Sequence, residues 1–263
     1  MVDVEHAGDA IARVAPFRMN RDTAAAKLRD YLRGRFWAPG AVKQLSVDKK
    51  RLRGVLVPHW AFSGVVRSDY SARVGVYWYR TETYTDSDGK TRTRQVRETE
   101  WFPLSGTAAR QVEDHLVSAS LGLSEAESNA LEPFDLGWAT SYDPRLLSGY
   151  EAELPSIDSG RAARTAATEL RDLEAERLQR ELLPGDTNQL QSIQSKVEVE
   201  SHDSVLLPVW IGTFQYEEQV LRLLVNGQSG HCAGRVPVSR VKVAIAVAVG
   251  VVLVLLLLLW ATA

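Results

Sequence analysis

The chain has 263 residues, 45% of them hydrophobic and 24% charged, a globular composition that argues against a largely disordered protein. With 31 basic and 33 acidic residues the net charge is −2, so no global positive field gathers nucleic acid, and any such role must rest on a local patch. The single cysteine, Cys232, excludes an intramolecular disulfide and a four-cysteine zinc site and fits a reducing compartment.

Residues 1–15 read as an N-terminal tail that carries Asp3, Glu5 and Asp9 and no apolar run of signal-peptide length. Residues 16–158 are expected to form a first β unit with flanking helices. Within it, Ala24, Leu28, Tyr31, Leu32 and Arg35 recur at helical spacing between Arg21 and Phe36, with Asn20 or Asp22 as N-cap and Pro39-Gly40 as a stop. Arg53–Trp60 and Ala72–Thr85 are rich in β-branched and aromatic residues. The turn residues Asp86 to Gly89 then precede Thr91–Phe102, which predicts a long hairpin with a polar tip. Ser105-Gly106-Thr107 opens a predicted helix through about Leu116, and Ser124 caps a short one. Irregular chain follows from Glu132 to Ser159.

A bridging helix is expected over 159–186, with Ala162, Ala166, Leu170, Leu173 and Leu178 in one stripe, Glu176 paired with Arg180, and Pro184-Gly185 ending the run. Residues 187–234 read as a second β unit: Gln194–Glu200 alternates, Ser204–Phe214 and Val220–Val225 are strand-like, and Asn226-Gly227 is a turn. Val55-Leu56-Val57-Pro58-His59-Trp60 is echoed by Val205-Leu206-Leu207-Pro208-Val209-Trp210. The expected fold class is therefore α+β: two related antiparallel β units bridged by helices, plus one C-terminal transmembrane helix.

That helix is predicted over 243–261, a charge-free run near the roughly 20 apolar residues needed to cross a hydrocarbon core of about 30 Å. Residues 235–242 form a basic juxtamembrane linker with Arg235, Arg240 and Lys242, and Trp260 marks the far interface. The positive-inside bias then places the N-terminal body in the cytoplasm, in a single-pass, tail-anchored arrangement at the inner membrane.

Several segments carry a resemblance. Leu206 to Trp210, Phe214 and Tyr216, Val225 to Gly230, and Gly234 to Pro237 together resemble a bacterial family of unknown function. Its members usually carry an N-terminal zinc ribbon and are loosely labelled as relatives of the primosomal replication-restart helicase. Pro16-Phe17, Val57 to Trp60, Trp101-Phe102 to Gly106 and Leu147 to Tyr150 match the same pattern. The ribbon's two Cys-X-X-Cys pairs are absent here, so zinc is not carried over. A phosphate loop is absent as well, since Tyr84 stands where Gly89-Lys90-Thr91 would need an upstream glycine.

No cofactor, metal site or catalytic residue is expected. The hairpin tip places Lys90, Arg92, Arg94 and Arg97 where they can meet a partner, and His59, Trp60, Trp210 and His231 are candidate groove residues. Cys232 is weighed as a nucleophile, with the alternative that it is a small strand residue. The leading expectation is a membrane-tethered cytoplasmic adaptor that docks a protein partner or larger assembly. The alternatives are a tethered enzyme or small-ligand sensor with a pocket between the β units and, third, a nucleic-acid-binding protein.

Overall fold

The computed structural model describes residues 10–45 and 47–262, so the acidic residues of the predicted N-terminal tail lie outside it. A two-residue strand, β1 (Arg13–Val14), leads into helix α1 (Arg21–Gly34), whose start is set by Asn20 accepting the Thr23 N–H at 2.9 Å. Ala24, Leu28 and Leu32 are buried along one face of α1, as their spacing predicts. A short helix, α2 (Gly40–Lys43), follows Pro39. Strand β2 (Leu52–Thr85) then runs unbroken, turns at Asp86–Lys90 and returns as β3 (Thr91–Ser118).

The hairpin is where the sequence predicts it, but the helix expected from Ser105 to about Leu116 is not there. Exposure alternates residue by residue from Leu104 to Val112, which is the period of a strand. Ala108, Ala109, Arg110 and Gln111 favour helix on their own. The ladder to β2 holds them extended, so tertiary pairing overrides a weak local propensity.

After β3 come α3 (Glu125–Asn129), the two-residue strands β4 (Thr140–Ser141) and β5 (Glu151–Ala152), and α4 (Ser159–Arg177) with a π turn to Leu182. The chain continues as β6 (Thr187–Tyr216), β7 (Gln219–Asn226), β8 (Cys232–Gly234) and α5 (Arg240–Thr262). Ser124 and Glu127 close a capping box on α3. The fold is mixed α and β, with one mainly antiparallel sheet of eight strands in the order β3-β2-β6-β1-β4; β5 joins at β2, and β7 with β8 extends from β6. Strands expected to form two units thus share one sheet.

Two compact units are present, and they do not follow chain order as the predicted divisions at 158 and 187 do. One comprises the residues up to Trp60, Val117–Asp158 and Asp203 onward; the other comprises Ala61–Leu116 and Ser159–His202. β2, β3 and β6 are long enough to contribute to both.

In the first unit the echo between Val55–Trp60 and Val205–Trp210 has a structural counterpart. Val55 and Leu56 pair in parallel with β5, and Val205 and Leu206 pair in parallel with β1. Pro58 and Pro208 have no N–H to give, yet the carbonyl of each accepts a bond: Ala119 N–H donates to Pro58 at 2.9 Å and Gly227 N–H to Pro208 at 2.8 Å. The order short strand, helix, long strand, return strand therefore occurs twice, as β1-α1-β2-β3 and β5-α4-β6-β7. Each short strand pairs with the long strand of the other copy. Both helices keep the same register: α1 buries Ala24, Leu28 and Leu32 and α4 buries Ala162, Ala166 and Leu170, in each case the fourth, eighth and twelfth residues.

Leu28, Leu32, Leu52, Trp210, Phe214 and Leu223 pack the larger core of the first unit. In the second unit Val66, Val112 and Leu170 form a smaller cluster with Val197 against it. Leu173, expected in the buried stripe of α4, is 45% exposed, and Glu174 occupies the next buried position at full burial. Cross-strand bonds from Ser68 to Ser195 at 2.8 Å and from Ser71 to Ser192 at 2.7 Å step in opposite directions along β2 and β6, so these strands run antiparallel. Between them Gly64 sits so close to β6 that an added Cβ would lie 2.1 Å from the Glu198 carbonyl oxygen. Gly64→Ala is expected to destabilise the protein by about 2 kcal/mol or more through forced strand separation, read as a lowered unfolding midpoint.

Candidate functional site

Among the described residues one helix, Arg240–Trp260, is long and apolar enough to cross a membrane, and none of it is buried within the protein. Its root is fastened to the loop that follows α1. Ser239 N–H donates to the Trp37 carbonyl at 2.8 Å, and Lys242 Nζ donates to the carbonyls of Phe36 at 2.7 Å and Ala38 at 2.9 Å. Of the predicted flank residues, Arg235 and Arg240 are exposed, Lys242 is half-buried in this clasp, and Trp260 is exposed.

The predicted hairpin tip lies in the second unit, and most of its charge is spent within the hairpin. Arg92 Nε contacts Asp86 at 2.6 Å, while Asp86 also accepts the Asp88 and Lys90 backbone N–H groups, which fixes the turn. Arg94 donates twice to one oxygen of Glu82, at 2.9 and 2.7 Å, and this guanidinium holds the Glu82 carboxyl below its usual range. Arg94 also stacks over Tyr84, and Arg97 lies 4.2 Å over the Tyr77 ring. Lys90 is exposed. Further down the arm Val76, Trp78 and Phe102 are 43%, 45% and 46% exposed, an apolar stretch left on the surface.

The four groove residues have separate surroundings in the first unit. His59 is fully buried: its Nδ1–H donates to the Val57 carbonyl at 3.0 Å, which leaves Nε2 to accept the Ser128 hydroxyl at 2.7 Å. Burial pushes its pKa down to about 4. Trp60 is buried and donates to the Ile157 carbonyl at 2.8 Å. Trp210 is buried beside Phe17, which itself stacks on Tyr150 at 4.1 Å. His231 is exposed. Adjacent strand residues point to opposite faces, so His59 and Trp60 cannot serve one groove together.

Cys232 is half-buried, its thiol lies 3.4 Å from the Gly230 carbonyl, and burial pushes its pKa up to about 11, the opposite of an activated thiolate. No three His, Cys, Asp or Glu side chains among the described residues come together as metal ligands. Sequence reasoning missed a recess of about 690 Å³ in the first unit, between α3 and the β7–β8 edge, where Glu127 meets Arg222 at 3.5 Å beside Val220 and Val236. Its walls come from segments about a hundred residues apart, and no local pattern joins them.

No family model matches the chain, and no solved structure matches it. It is similar to an uncharacterized protein of Bacillus subtilis (strain 168), YdjG, with 26% identity over 243 residues, which cover 89% of this chain and 66% of that protein. The chain thus spans about two thirds of the length of this bacterial relative, whose name assigns it no activity.

Proposed function

We propose that the protein is a membrane-tethered adaptor: α5 crosses the inner membrane once, and the body lies in the cytoplasm and presents a protein-docking surface near the bilayer. The single observation that carries this reading is the exposed, uncharged length of α5 behind a basic root. Tethering raises the effective concentration of a partner at the bilayer without chemistry. The exposed Val76, Trp78 and Phe102 on the β2–β3 arm are the surface that best fits a protein partner, since aromatic side chains dominate interface energetics. The internally paired basic residues of the tip fit a phosphate backbone less well.

The full chain is expected to stay with membranes through an alkaline carbonate wash, and a chain lacking residues 243–262 is expected to be released. Protease added outside intact spheroplasts should leave the body uncut. Release of the full chain would overturn the tether, and cleavage from outside would overturn the orientation. A protein retained by the full chain and lost on Trp78→Ser/Phe102→Ser would identify the docked partner; unchanged retention would remove the arm from the proposal.

A further inference from the structure

The loop that clasps the root of α5 exposes two aromatic residues between an exposed basic stretch, Arg33 to Arg35, and the buried Ala38. Phe36 is 68% and Trp37 46% exposed, with their rings edge to face at 5.2 Å, whereas Ala38 next to them is 2% exposed. The carbonyls of these same residues hold Lys242 and Ser239, so the rings cannot leave the helix root without breaking the clasp. Lys242 Nζ also lies 5.5 Å over the Phe36 ring. Trp37 lines a shallow recess of about 500 Å³ with Val243, Ala246 and Val247 of α5.

That recess fixes a depth. Val247 lies seven residues into α5, about 10 Å from Arg240 along the helix axis. A ring level with this stretch falls in the zone between headgroups and hydrocarbon, where tryptophan is enriched. From Val243 to Trp260 is about 26 Å of helix, close to the roughly 30 Å of a hydrocarbon core. Trp260 then marks the far interface, and the body itself supplies the near one. Charge agrees: residues 31–43 and 234–242, which meet here, carry Arg33, Arg35, Lys43, Arg235, Arg240 and Lys242 and no carboxylate. Basic residues around an apolar insertion favour an anionic surface.

We propose that the Phe36–Trp37 loop is a second membrane contact, inserted into the interface of an anionic bilayer beside α5, so that the body is seated on the membrane and does not swing from a loose linker. This rests on the reading of α5 as a span, and the test separates the two. A Cys232→Ala chain is labelled with an environment-sensitive fluorophore at Trp37→Cys or, in a second sample, at Gly250→Cys. Each is reconstituted at full length in vesicles of equimolar phosphatidylcholine and phosphatidylglycerol containing lipids with a nitroxide at a shallow or a deep acyl carbon.

The label at 250 is expected to be quenched several-fold more by the deep nitroxide, and the label at 37 several-fold more by the shallow one. Neutralising Arg33 and Arg35 to Gln should reduce the shallow quenching at 37 and leave that at 250 unchanged. Deep quenching at 250 with none at 37 would show a spanning helix and a body that stands off the bilayer, which overturns the proposal alone. A blue-shifted but unquenched label at 37 would mean that protein covers the loop, and overturns it too. Absence of deep quenching at 250 would overturn the span and the proposal with it.

Discussion

Glu174→Ala is expected to destabilise the second unit by about 2–3 kcal/mol, below the roughly 3–5 kcal/mol for stranding a fully buried charge, because its partners Arg110 and Arg177 both keep access to water. The Glu174 side chain is fully buried on α4, where one oxygen lies 3.2 Å from Arg110 Nε of β3 and both oxygens accept from Arg177, at 3.0 and 2.7 Å. Arg110 Nε and Nη2 are buried and have no aligned hydrogen bond among the described residues, so the nearby carboxylate is what compensates this guanidinium. Without it Arg110 and Arg177, whose side chains are 31% and 20% exposed, lose their counter-charge, and this adds to the loss of two hydrogen bonds. Hydrogen–deuterium exchange of the full chain in micelles should show protection lost in 61–116 and 159–202. Changing Arg110 and Arg177 together with Glu174 to apolar residues of similar volume should recover most of the stability, because the desolvation penalty of all three charges then disappears. A single-variant loss below about 1 kcal/mol would show that the site is hydrated and the network marginal.

The same network marks where sequence reasoning stops. Ala162, Ala166 and Leu170 were legible as a buried stripe because helical periodicity is local, but its continuation at Glu174 depends on Arg110, more than sixty residues earlier. Asn20, Ser124 and the Asp86 turn were legible for the same local reason: each side chain satisfies backbone donors within four residues. The segment from Leu104 to Val112 was misread because Ala, Arg and Gln favour helix locally, and only pairing with β2 makes them a strand. The Pro-X-Trp echo pointed to related β elements, yet nothing local shows that each short strand pairs with the other copy. The candidate groove failed for a related reason. Histidine and tryptophan serve both sites and cores, and burial, which decides between them, is set by distant chain.

His59 makes that last point measurable as a pH dependence. Unfolded, its imidazole should titrate near 6.5; folded, burial lowers the pKa to about 4, with the Val57 carbonyl opposing weakly. Between those values the unfolded chain binds a proton that the native state refuses. Stability is therefore full above about pH 6.5 and falls progressively as pH drops to about 4, by roughly 3 kcal/mol from this group in total. The carboxylates held low by arginine or lysine, Glu82, Asp143 and Glu198, are half-exposed, and because ordinary carboxyl groups titrate at about 4, the stability they lend is lost at the bottom of this window and below it. A slope between pH 6.5 and 5 is accordingly a signature of buried neutral histidine. His59→Gln keeps a donor for Val57 and an acceptor for Ser128 without a titrating group, so urea midpoints of this variant should be flat across that interval while those of the parent chain decline. Identical slopes for the two would mean that His59 accepts its proton in the folded state, by rotation of Ser128 or entry of water beside α3, and that the strand–helix contact it makes is looser than its 2.7 Å bond implies.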